Sequence, residues 1–171
     1  MNNKKMNNKG FTLVELIVVL VILAILAAIL VPALLGYIDR ARGAQVLLNA
    51  KSVLTAAQAE ASNCYGTAGT KDDGTAETIS DMFTSDKLTV IADTADIPAG
   101  ASATVKMKAA AAAATPANHD AWTVEKVLYT ENGQTAYYDG KSWTQGLSAT
   151  ELTKAQTAVS GGFSISKPAA K

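Results

Sequence analysis

From Phe11 to Leu35 the chain is apolar at every position except Thr12 and Glu15, with Pro32 its one proline and no glycine. The run exceeds the roughly 20 residues a helix needs to cross a bilayer. It is also too long for the apolar region of about 7–15 residues in an ordinary secretory signal. From Asp39 to Asn63 the pattern changes. Val46, Leu47, Ala50, Val53, Leu54, Ala57 and Ala61 recur three or four apart, leaving Gln45, Asn49, Lys51, Ser52, Thr55, Gln58 and Ser62 for other faces, which predicts an amphipathic helix. Pro32 lacks an amide hydrogen and its ring opposes the carbonyl of Ala28, so the helix should loosen there without having to end. Gly36 and Gly43 each weaken it by about 1 kcal/mol relative to Ala. One helix from Phe11 to Asn63 is about 80 Å long, more than a domain of this size can bury.

After the helix the spacing shortens. "CYGTAGTKDDGT", residues 64–75, is glycine-rich and polar and predicts the helix end. Thr78 to Phe83 reads as a short helix with Ile79, Met82 and Phe83 apolar. "LTVIA" (88–92) and "ATVKM" (103–107) read as β-prone pieces split by a turn at Pro98 and Gly100. Ala109–Ala114 fits a strand and a helical turn equally well. The clearest sheet signal is residues 122–144: strands around Trp122–Thr130 and Thr135–Tyr138 flank Asn132-Gly133, and Asp139-Gly140 turns the chain again before Trp143. This predicts an antiparallel meander with one face on the helix and the other toward water or a neighbouring subunit. Ser148 and Glu151 have capping-box spacing and start a helix through about Val159, which Gly161-Gly162 stop. "FSIS" reads as an edge strand or as part of a disordered tail. The fold class is therefore α+β, a long N-terminal α-helix packed on a small antiparallel sheet head with a single core.

Charge and chemistry narrow the classes. The 15 basic and 15 acidic residues balance, so no overall field recommends nucleic acid. Lys4, Lys5 and Lys9 stand in the first ten residues with no acid, so a chain without them is mildly acidic. That basic flank favours a cytoplasmic N-terminus, although Arg40 and Arg42 weaken the asymmetry. Cys64, the only cysteine, forms no intrachain disulfide and reads as a small hydrophobe. Asp72, Asp73, Glu77 and Asp81 lack the alternation of a calcium loop and read as a solvated stretch. His119, the one histidine, reads as a surface residue beside Asp120 rather than half of a dyad with Cys64. Phosphate-loop, dinucleotide and zinc patterns are absent, so no catalytic, cofactor or metal site is expected, and the chain reads as structural rather than an enzyme. Trp122, Tyr129, Tyr137, Tyr138 and Trp143 alternate as sheet residues do.

Glu15 carries the chemical question. An ionised carboxylate deep in a bilayer costs about 2.5–3.5 kcal/mol and calls for a partner. Lys9, six residues away, is poorly placed to supply one. Cleavage between Gly10 and Phe11 creates an α-amine, cationic at neutral pH, four residues before Glu15. It can meet Glu15 within one helix or, in a bundle of identical chains, across a subunit boundary, where neutralisation depends on register.

"KGFTLVEL", residues 9–16, resembles the processing site of class III signal peptides in type IV pilins and pseudopilins: a short basic leader, Gly10, Phe11 at the new N-terminus, and Glu15 four residues beyond it. The resemblance is close over residues 1 to 40 and elsewhere extends to general plan. It implies cleavage after Gly10 by a membrane-embedded prepilin peptidase and N-methylation of Phe11. It implies packing of Phe11 to about Asn63 in the core of a helical homopolymer, with Glu15 paired to a neighbour's amino terminus. A pilus assembly platform and minor pilins are the further partners it implies. Pro32 stands where many members have a proline. Ala24, Ala27 and Ala28 stand where many carry a glycine.

The expected organisation is a cleaved leader at 1–10, the long helix at 11–63 with 11–35 as transmembrane segment and filament core, and a head at 64–171. The expected function is a structural pilus subunit for adhesion, motility or aggregation. It is single-pass in the cytoplasmic membrane before assembly, N-terminus inside, and extracellular afterwards. A pseudopilin of a type II secretion or competence DNA-uptake system is the alternative, and the only one of the two with a reason to meet nucleic acid. A plain signal anchor has no reason to place Gly, Phe and Glu in this register.

Overall fold

The computed structural model describes residues 10–69, 72, 74–108 and 119–167. The leader before Gly10, Asp73 and the Ala109–Ala114 stretch lie outside them. Helix α1 spans Leu13–Thr67 and contains Pro32 without interruption. The chain divides into two compact units at Ala41/Arg42. In the first, every residue from Phe11 to Leu35 is exposed on the isolated chain, and the guanidinium of Arg40 lies 5.6 Å from the ring centre of Tyr37. Among the described residues of this unit, none covers the apolar side chains.

The second unit holds the core. Val46, Ala50, Val53, Ala57 and Ala61 of α1 are buried and Leu47 and Leu54 half-buried, the stripe that the three-and-four spacing predicts. α1 runs on through Cys64 to Thr67, past the expected end at Asn63. Cys64 is buried in the core and the Thr67 hydroxyl bonds the carbonyl of Asn63 at 3.1 Å, so the last turn has reasons to stay helical that Gly66 does not outweigh. Helix α2 is Ile79–Met82, with Ile79 and Phe83 buried.

Residues 88–92 are not a strand. They belong to helix α3, Ser85–Thr94. Ile91, Ala92 and Ala95 are buried and Leu88 half-buried, one helical face, and this burial overrides the β preference of Thr89, Val90 and Ile91. Pro98 and Gly100 do turn the chain, but from a helix into a strand.

Strands β1 (Ser102–Met107), β2 (Val124–Glu131), β3 (Gln134–Tyr138), β4 (Trp143–Gln145) and β5 (Phe163–Ser166) form one sheet in the order β4-β3-β2-β1-β5, antiparallel throughout. Trp122, expected in β2, instead closes a short 3₁₀ turn at His119–Trp122. Asn132 (φ 49°) and Gly133 (φ 76°) are both left-handed, the backbone of a two-residue type I′ hairpin. At the next turn the Asp139 carboxylate accepts from Ser142 N (2.7 Å) and Lys141 N (2.8 Å), which holds its pKa below the usual range. Helix α4, Ala149–Ala158, starts at the predicted box: the Ser148 hydroxyl and amide both donate to Glu151 Oε2 (2.6 and 2.9 Å). Gly162 then lets the chain pass into β5, since a Cβ there would stand 2.6 Å from the Val105 carbonyl oxygen.

The sheet is covered on both faces. Val105, Val127 and Tyr129 join the α1 stripe, Ile79 and Ile165 in the main core. Leu128 points the other way and packs with Ala155, Val159, Leu152 and Tyr137 in a second, small core under α4. This second cluster was not expected from the sequence. Polar residues of α1 read as outward-facing also tie it to the sheet. Gln58 donates to Trp122 O (3.2 Å) and accepts from Val124 N (2.8 Å). Asn49 donates to Glu131 (2.8 Å), and Gln145 donates to Gly43 O (2.5 Å).

Candidate functional site

The site residues predicted from sequence lie where the chain enters α1. Gly10, Phe11 and Thr12 precede the helix in irregular backbone, exposed, with Phe11 90% accessible. The Gly10–Phe11 peptide bond is thus outside any hydrogen-bonded element. Nothing lies within 4 Å of a Cβ built on Gly10, and its φ is not in the left-handed range. Among the described residues nothing requires glycine at residue 10.

Thr12 is the cap of α1. Glu15 N donates to Thr12 Oγ1 (3.3 Å), while the Thr12 amide and hydroxyl donate to Glu15 Oε2 (2.9 and 2.7 Å). This reciprocal box satisfies amides that a helix N-terminus otherwise leaves open, and the acid in the first turn suits the helix dipole. Sequence reasoning missed it, although "TLVE" has the same spacing as the "SATE" it did recognise. The consequence concerns Glu15. Its carboxylate is folded back onto residue 12, one residue from the nitrogen that cleavage after Gly10 would free. In a single chain it is solvated by Thr12 rather than left bare.

The other candidates fall into ordinary roles. Cys64 is buried and donates its thiol to Glu60 Oε1 (3.8 Å); burial and the Glu60 charge push its pKa up, away from a reactive thiolate. Glu60, nearly buried, is paired with Lys87 at 2.6 Å, an ion pair between α1 and α3 that no sequence signal announced. Glu77 accepts from Gly69 N (2.8 Å), and Asp81 accepts from Thr78 N (2.8 Å) and its hydroxyl (2.6 Å), so two of the four loop acids close backbone turns. Asp120 pairs with Lys108 at 2.9 Å.

Residues 5–31 match the family model of the prokaryotic N-terminal methylation motif. The chain matches no curated protein and no solved structure. α1 is long and apolar enough to cross a membrane by length and composition, and with the motif it fits a membrane-anchored precursor. The matched segment is the one that holds Gly10, Phe11, Thr12 and Glu15, and the motif is that of the class III signal peptide of type IV pilins.

Proposed function

We propose that the chain is the subunit of a type IV pilus, cleaved after Gly10 by a prepilin peptidase, methylated on Phe11 and polymerised through α1 into a surface filament. The observation that carries this reading is the pairing of a processing motif with an exposed helix: the matched residues include apolar side chains that no described residue of their own unit covers. Such a surface is stable in lipid or against copies of itself. Transfer from lipid to a helix bundle gains no hydrophobic free energy, so association rests on close packing, which Ala24, Ala27 and Ala28 permit. Repeating one heterologous contact builds an open filament.

Glu15 sets the register. Before assembly its carboxylate is held by Thr12; in the filament it exchanges those donors for the amine of a neighbour's Phe11. The test is Glu15→Val, with cleavage followed by mass and filaments by shearing. Cleavage should proceed and sheared filaments should be lost. Normal filaments from the variant contradict the register role. Wild-type chain that is cleaved yet stays in the membrane fraction favours a pseudopilin instead.

A further inference from the structure

Glu131 closes β2 and is only 8% exposed, and its two carboxylate oxygens have different surroundings. Oε2 accepts from the Tyr129 hydroxyl (2.7 Å) and from Asn49 Nδ2 (2.8 Å). Among the described residues Oε1 has no hydrogen-bond partner and the carboxylate has no ion pair. No fully buried side-chain oxygen of the described residues lacks a partner, so Oε1 is reachable from outside. The way in is a cleft of about 290 Å³ lined by Arg42, Gln45, Val46, Glu131, Asn132 and Gln134. Arg42 stands in its wall without reaching ion-pair distance of Glu131. A carboxylate that is mostly buried, held by neutral donors alone and open at one oxygen, leaves that oxygen free to accept from a cation that enters the cleft.

We propose that this cleft receives a lysine ammonium from a second copy of the chain, with Glu131 as its counter-ion. The inference rests on the filament reading, which brings copies into contact. An ammonium has three donors, and the cleft offers Glu131 Oε1 together with amide oxygens; Gln45 uses its Nε2 on Asn49 (2.9 Å) and so keeps its own oxygen. A divalent cation fits less well. Calcium takes about six to eight oxygens, whereas a single carboxylate lines this cleft and Arg42 opposes a double charge. The occupant is available on the same chain. Lys51, Lys141 and Lys154 are exposed and form no ion pair among the described residues, whereas Lys87, Lys108 and Lys167 are paired. Lys141 is the best presented, because Asp139 fixes its backbone amide at the tip of a tight turn.

The experiment is a double-mutant cycle read in polymer. Glu131→Gln is combined in turn with Lys51→Gln, Lys141→Gln and Lys154→Gln, and filament sheared per cell is weighed. Thermal midpoints are measured on each full-length chain in detergent. Glu131→Gln and one lysine variant should each lower filament yield roughly tenfold, as expected for truncating one side of a desolvated charge pair, and the double variant should lose no more than either. The thermal midpoint should stay at the wild-type value. Additive losses with all three lysines overturn the proposal, as does a yield that falls in step with the midpoint. Arg42→Gln as the only non-additive partner assigns the charge to a closure within one chain and overturns it too. Wild-type chain that never polymerises defeats the filament reading itself, and this docking site with it.

Discussion

Two stretches of α1 have opposite sequence logic. Residues 13–35 are apolar on every face and all exposed on the isolated chain; residues 46–64 are apolar on one stripe, and that stripe is buried against the sheet. A helix apolar all round is meant for lipid or for other helices, and a helix apolar on one side is meant for its own domain. The contrast separates what the chain buries for itself from what it leaves for lipid or for other helices. The described residues of the head form cores on both faces of its sheet within one copy. The N-terminal stretch is complete only with something else around it.

Charge placed in either stretch gives the sharpest test of this division. Val53→Asp puts an unpaired carboxylate into the main core, where Val53 is fully buried, and should cost more than about 4 kcal/mol; the head should be unfolded by circular dichroism in detergent. Val21→Asp should leave the head's melting curve unchanged while lowering membrane insertion by about 3 kcal/mol, read as the fraction of chain integrated. If both variants unfold the head equally, the division is wrong.

Tyr129 tests the polar contacts of the core. Burial first, then the hydrogen bond to Glu131, pushes its pKa up. Its folded-state pKa therefore lies above the unfolded one, and the stability it contributes is present below about pH 10 and is lost as pH rises further. Tyr129→Phe should cost about 1–3 kcal/mol at neutral pH, since Glu131 loses a donor, and should flatten the decline in melting temperature above pH 10. An unchanged alkaline slope contradicts the assignment.

The two capping boxes compare the stretches on equal chemistry. Ser148→Ala should lower the stability of the head by about 1 kcal/mol, measured by urea unfolding of the detergent-solubilised chain. Thr12→Ala removes the same interaction from the start of α1 and should leave head stability unaltered. A pH-dependent effect is expected at Lys87, whose hydrogen bond and charge interaction with Glu60 raise its pKa. The pair's contribution persists below the unfolded lysine pKa and fades as pH rises through the folded one. Lys87→Met should lower the melting temperature at neutral pH and reduce its further fall at strongly alkaline pH.

Much of this architecture was legible locally. The α1 stripe, the Asn132-Gly133 hairpin and the Ser148 box each rest on residues near one another in the chain, whereas Phe163–Ser166 left strand and disordered tail open until its pairing with β1 decided for the strand. The misses share a cause in partners distant along the chain. Helix α3 looked like a strand because its β-prone residues were read without the core face that Leu88, Ile91 and Ala92 meet. The end of α1 was set too early because Gly66 was visible and the burial of Cys64 was not. Glu60 and Glu131 look like surface acids in sequence, and only Lys87, Asn49 and Tyr129 show otherwise. At the site, the roles of Gly10, Phe11 and Glu15 belong to the proposal, whereas the Thr12 cap on Glu15 is a contact that the spacing of the two residues allows and that the sequence reading did not include.

On the proposed function, the exposed part of α1 serves as the assembly surface once the chain has been cleaved after Gly10. Intact-mass and N-terminal mass spectrometry of filaments sheared from the cell surface tests it most directly. Subunits that begin at methylated Phe11 are the expected result. Surface filaments lacking this chain, or a chain that still begins at Met1, contradict it.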